Sequence, residues 1–277
     1  MVDSLMQLIS VAPIQRAAIA FLLSGAVFPL VGVFVAVLDL VPLRFALMHG
    51  ALLGGVIGLM LDLNSQWIAL GVNILMVLIL GPLSLRVKIG LSNVSAFMMV
   101  ASIALAFLLI DISGLQAWDA FSVLWGNIYA LTNLDLYVLM GLAGIIIGFI
   151  VFWHRAITAV LFDMDIAYTS GIASNRLYYF ILILTGSVVA FSIKLIGALL
   201  LDSLLLLPAI AALYFARSMR QLYMLASGIG MVGSIIGFSL SMVASLQASP
   251  AVTLSVIFVI GVIWIINRFN KKKGQVK

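Results

Sequence analysis

Two side chains lie in otherwise apolar stretches and are of types that can ligate a cation. His49 carries an imidazole nitrogen and Asp202 a hard carboxylate oxygen. An isolated charge inside a membrane span costs at least ~2.5–3.5 kcal/mol, so Asp202 calls for a reason. One reason is a carboxylate facing a transport pathway. The other is an ion pair with Lys194, the two flanking a turn at Gly197 in the run SIKLIGALLLDSLLLLPAIAAL. His49 has the same two readings, a ligand or an imidazole hydrogen-bonded within a helix bundle. His154, beside Arg155 at a span end, reads as an interfacial residue.

A second chemistry-bearing stretch is the polar segment FDMDIAYTSGI, Phe162 to Ile172. Ile157, Val160, Leu161, Met164 and Tyr168 recur at the spacing of one helical face. Gly171 stands where a helix end would take a left-handed residue. The spacing predicts a short helix over 156–171 that exposes Asp163 and Asp165, a docking surface; the plainer alternative is a solvated loop.

These residues sit in a chain that is 65% hydrophobic and 8% charged, with a mean hydropathy of +1.32. No soluble domain covers so much apolar surface, so the class is an all-α polytopic membrane bundle. The absence of cysteine excludes disulfides, thiolate metal sites and catalytic thiols, and leaves the redox compartment open. All nine acids are aspartates. No cleavable signal peptide is evident: the first apolar stretch is too long for a signal core.

Breaking the apolar runs at polar residues, glycines and prolines gives nine spans, near 17–38, 45–61, 65–84, 91–110, 135–154, 177–195, 198–215, 221–245 and 250–267. Merging one hairpin would leave eight and move the N-terminus to the other side. Alternating the sides puts twelve basic residues on one face, Arg44, Arg86, Lys88, Arg155, Arg176, Arg217, Arg220, Arg268, Lys271, Lys272, Lys273 and Lys277, against Arg16 and Lys194 on the other. The first face is cytoplasmic by the positive-inside rule. Asp3, Asp62, Asp111, Asp119 and Asp135 fall outside. With its cations between spans and at the tail, the net charge of +5 speaks for topology and anionic lipid, and not for nucleic acid. The chain thus reads as one membrane domain over 1–277, with an external connection at 111–134 and a cytoplasmic one at 156–175. The external connection has no Lys or Arg; its Trp118, Phe121, Trp125 and Tyr129 suit an amphipathic or re-entrant helix.

Glycines repeat every four residues at Gly50, Gly54 and Gly58, at Gly144 and Gly148, and at Gly233 and Gly237. Such stripes let helix backbones approach closely. Pro29 and Pro208 should bend their spans, and Gly197 and Pro208 are read as structural. No lysine follows a glycine, so the phosphate-cradling GxxxxGK[ST] loop is excluded. Energy for transport would come from a partner. No nucleophile–base constellation is present either, which argues against an intramembrane enzyme.

The segment Phe162–Ala167 ending at Gly171 resembles the coupling segment of zinc/manganese-type ABC importer permeases. So do Ile196–Leu200 through Leu207–Ala209, Trp125–Ile128 followed by Leu134–Leu136, and His49–Gly54, in the same order along the chain. The resemblance implies a fold similar to that of the cobalamin importer's permease, in the inner membrane of a prokaryote. It further implies a second permease subunit (a homodimer or a paralogue), cytoplasmic ATP-binding subunits that use the ATP, and an external solute-binding protein. Under it Asp163, Asp165 and Gly171 would couple to the ATPase, and His49 with Asp202, repeated in a dimer, could offer four ligands to zinc or manganese in transit.

The departures are all in one direction. Phe45 stands where the family carries an aspartate, Asn93 and Val94 replace an acidic pair, and Ala248 replaces an aspartate; Val252 replaces a glycine. Lost carboxylates weaken the case for a bare divalent ion and leave open a chelated metal or another solute. A stand-alone secondary transporter and a non-transporting scaffold are the remaining rivals. The first lacks repeated interrupted helices, and the second explains neither Asp202 nor the 156–171 segment.

Overall fold

The computed structural model describes residues 11–86, 90–116, 118, 126 and 128–274. Its helices in chain order are α1 (Ala12–Val37), α2 (Val41–Met60), α3 (Ser65–Arg86), α4 (Leu91–Ser113), α5 (Asn133–Phe152), α6 (His154–Phe162), α7 (Met164–Thr169), α8 (Ser174–Ile196), α9 (Ala198–Phe215), α10 (Met219–Val243) and α11 (Ala248–Gly274). Among the described residues, nine of these, all but α6 and α7, are long and apolar enough to cross a membrane. They coincide with the nine expected spans.

Local chemistry sets the helix ends. Pro42 sits in the first turn of α2, where its missing N–H is not needed. Gly114, with φ +67°, closes α4 in the left-handed conformation. A capping box opens α5: the Thr132 hydroxyl accepts from the Asp135 amide at 3.2 Å, and the Asp135 carboxylate accepts from the Thr132 amide at 2.9 Å. At α10 the Ser218 hydroxyl accepts from the Gln221 amide.

The chain divides into two compact units, Phe34–Leu201 and Met1–Val33 with Asp202–Lys277. In the Phe34–Leu201 unit, α2 packs against α3 and α4, and α8 packs against α3 and α2. Leu52 and Val56 of α2 meet Ala106 and Ile110 of α4. Between helices in lipid, burial of apolar surface supplies little drive, so close backbone approach has to supply it. The first glycine stripe does this along α3: a Cβ on Gly50 would meet Met76 and Asn73, one on Gly54 the Ala69 backbone, and one on Gly58 the Ser65 backbone.

In the other unit, Gly233 and Gly237 of α10 receive Val256 and Val252 of α11. Gly230 lies against the Gly25 carbonyl and the Pro29 ring of α1. Pro29 has no N–H, so the Gly25 carbonyl four residues earlier lacks its intrahelical donor, and Gly230 leaves room for it. Gly32 lies against the Leu205 carbonyl, one turn before Pro208 in α9. The stripe at Gly144 and Gly148 behaves otherwise. Among the described residues nothing comes within 4 Å of a Cβ at Gly144, because α5 is largely exposed along that face.

Candidate functional site

The 156–171 segment is not one helix. Asp163 takes an extended backbone (φ −164°, ψ 124°) and separates α6 from α7. Its carboxylate accepts from the amides of Asp165 at 2.8 Å and Ile166 at 2.9 Å, which starts α7 afresh. The apolar spacing continues across a residue whose side chain competes for the backbone, and the competition wins. Ile157, Val160 and Leu161 are buried as the helical face requires, whereas Tyr168 is 68% exposed and Ala167 takes its place inside. Asp163 and Asp165 are exposed, as expected.

Gly171 ends α7 with φ +81°. The Ile172 amide donates to the Ala167 carbonyl at 3.1 Å and the Gly171 amide to Tyr168 at 3.0 Å, the pair of bonds of a Schellman motif. Among the described residues no atom lies within 4 Å of where a Cβ would stand, so the demand for glycine comes from the backbone angle.

His49 lies half-buried on α2. Its Nδ1 donates to the Phe45 carbonyl at 2.8 Å, which leaves Nε2 of the neutral ring with the lone pair a cation needs. Phe45 has a second function: the Arg44 guanidinium stacks over its ring, 4.1 Å from the centroid. Arg44, which the charge pattern places on the cytoplasmic face, is 1% exposed in the first turn of α2. A lone arginine at a span boundary gives no sequence signal of which way it folds.

Sequence reasoning also passed over the polar residues packed near Gly50. Asn73 of α3 is fully buried, and its Nδ2 donates to the Gly186 carbonyl of α8 at 3.4 Å. Its Oδ1 has no hydrogen-bond partner among the described residues. The Ser102 hydroxyl of α4 donates to the Met76 sulfur at 3.8 Å. Single amide and hydroxyl side chains in a span carry no spacing motif, so only the packing brings them together.

Gly197 separates α8 from α9 with φ 84° and ψ 159°, a combination essentially restricted to glycine. Asp202 follows in the second turn of α9 and is half-buried; the side chain of Lys194 lies outside the described residues. His49 and Asp202 belong to different units. Among the described residues no three His or Asp side chains form a metal-binding cluster within this chain.

Of the external connection, residues 111–116, 118, 126 and 128–134 are described, with a single 3₁₀ turn at Ile128–Ala130; Phe121 and Trp125 lie outside the described residues. Trp118 is exposed, and Ile128 and Leu131 are buried. Gly126, with φ +61°, rests on the backbone of Gly197. Lys88, Asp119, Asn127 and the side chains of Arg86 and Lys271–Lys273 likewise lie outside the described residues.

A family model described as the ABC 3 transport family matches residues 10–266. The chain is similar to the manganese transport system membrane protein MntC of Halalkalibacterium halodurans, 23% identical over 248 residues that cover 90% of this chain and 85% of that one. It is also similar to the high-affinity zinc uptake system membrane protein ZnuB of Haemophilus influenzae, 24% identical over 257 residues that cover 91% and 97%. Among solved structures, PsaBC from Streptococcus pneumoniae in complex with Fab matches with a TM-score of 0.81 and 22% identity over 95% of each chain.

Proposed function

We infer that this chain, which belongs to the ABC 3 transport family, is the membrane-spanning permease subunit of an ATP-binding cassette importer for manganese or zinc ions. The observation that carries this reading is the family match over residues 10–266. The names of the relatives, manganese and zinc transport proteins, support the cargo. The nine long apolar helices among the described residues fit a multi-pass protein of a bacterial cytoplasmic membrane.

In this reading the chain hydrolyses no ATP. A cytoplasmic ATPase binds the exposed segment from Asp163 to Gly171, a second permease subunit completes the pathway, and an external solute-binding protein delivers the ion. The N-cap at Asp163 and the left-handed cap at Gly171 fix both ends of α7, so its exposed Ile166 and Tyr168 present a defined surface to the ATPase. His49 Nε2 in one unit, and the Asp202 carboxylate in the other, are each a candidate for a weak, reversible ligand of the ion in transit. Co-purification tests the assembly. A tagged chain should carry a cytoplasmic ATPase through purification in mild detergent, and recovery of the folded chain alone under all such conditions would remove the reading.

A further inference from the structure

The end of the Phe34–Leu201 unit that carries α6 also holds an open recess of about 310 Å³, which the transport reading does not use. Phe149 and Trp153 wall it from the end of α5, and Leu177 and Phe180 from the first two turns of α8. The rings are continuous: Phe149 lies 4.6 Å from Phe180 and 5.9 Å from Trp153, centroid to centroid. Among the described residues of the lining the one charged side chain is Arg176, which is exposed. Trp153 and Phe180 stay 53% and 44% exposed, so the aromatic floor is open to a visitor.

Three properties identify the visitor. The recess volume is at the small end of ligand pockets, ~300–1,000 Å³, which suits a glycerol backbone and the first acyl carbons rather than a whole lipid. The wall is almost wholly apolar, so a bound peptide would leave its amides without partners, at a cost of ~1–3 kcal/mol each, whereas an acyl chain asks for none. The charge asymmetry of the sequence sets this end of the unit at the cytoplasmic leaflet, where the phospholipid charge is negative and Arg176 is its complement. The floor also runs outward into Phe152, 82% exposed, which suits contact with acyl chains.

We propose that the recess binds an anionic phospholipid of the cytoplasmic leaflet. Arg176 holds the phosphate, and Phe149, Trp153 and Phe180 hold the start of one acyl chain. Ile172, the residue after the Gly171 cap, also lines the recess, so the bound lipid buttresses the base of the coupling segment.

Brominated lipids test this through Trp153. The full-length protein is reconstituted in phosphatidylcholine vesicles doped with phosphatidylglycerol or phosphatidylcholine brominated on the upper acyl chain, at matched mole fractions. Subtracting the signal of Trp153→Phe isolates the Trp153 fluorescence. Half-quenching is expected at an about five-fold lower mole fraction of the phosphatidylglycerol, as one cation near a charged leaflet provides. Arg176→Gln should abolish that preference and Arg176→Lys should keep most of it. Equal quenching by the two lipids in the unmodified protein overturns the proposal. So does a preference that survives Arg176→Gln, or loss of quenching by both lipids once the ATPase is bound, which would mean that a protein covers the recess.

Discussion

Gly126 and Gly197 touch backbone to backbone: a Cβ on Gly126 would overlap the amide nitrogen of Gly197. Each has a positive φ, +61° and +84°. The contact joins the long connection after α4 to the one-residue turn between α8 and α9. The contact places both connections at one end of the unit, the end that the charge pattern assigns to the outside.

Alanine at either glycine should therefore destabilise the protein. Gly197→Ala forces a side chain into a backbone region essentially reserved for glycine, at ~1–3 kcal/mol. Gly126→Ala adds a clash with the partner backbone. Thermal unfolding of the detergent-solubilised variants should show a lower Tm for both, and an unchanged Tm for both would mean that the contact is not part of the folded protein.

The coupling segment gives a graded series. Gly171→Val should uncouple ATP hydrolysis from uptake, because a β-carbon in the left-handed region costs ~1–2 kcal/mol, while Gly171→Asn should be close to wild type. Asp163→Ala removes an N-cap worth ~1 kcal/mol and should weaken coupling, and Asp163→Ser keeps the cap and should retain it. Hydrolysis and uptake measured together separate these cases. Equal coupling in Gly171→Val at normal expression would detach Gly171 from the mechanism.

The nine spans were legible because a helix that crosses lipid must be apolar over its length, and Gly171 was legible because glycine follows a polar, periodic run. The break at Asp163 was not. Its neighbours keep helical spacing, and only the carboxylate's bonds to the Asp165 and Ile166 amides decide the matter. Contacts between distant residues were equally hidden. Nothing in the sequence links Asn73 to Gly186, or Gly126 to Gly197, until the helices are packed. The charge of Arg44 predicts a side of the membrane and not a depth, so its burial over Phe45 was not legible either.

Topology can be checked in this cysteine-free chain. Asp165→Cys in intact cells should resist an impermeant thiol reagent and react after the membrane is opened. Labelling from outside would invert the assignment and detach the segment from any cytoplasmic partner.

The pathway reading of Asp202 and the ion-pair reading make different forecasts. As a ligand, Asp202→Asn should assemble normally and abolish uptake, with no rescue by Lys194→Met. As an ion-pair partner, Asp202→Asn should impair assembly, and the double variant should restore it. His49→Ala should lower uptake if Nε2 serves the ion. Normal uptake in both His49→Ala and Asp202→Asn would favour a chelated or uncharged solute.

The most direct test is transport itself. Proteoliposomes containing this chain, its cytoplasmic ATPase and its solute-binding protein should take up radiolabelled manganese or zinc only when ATP is supplied on the ATPase side. Gly171→Val should leave hydrolysis in place and remove most of that uptake. Uptake of either metal that proceeds without the ATPase, or a complex that hydrolyses ATP and moves neither ion, would contradict the assignment.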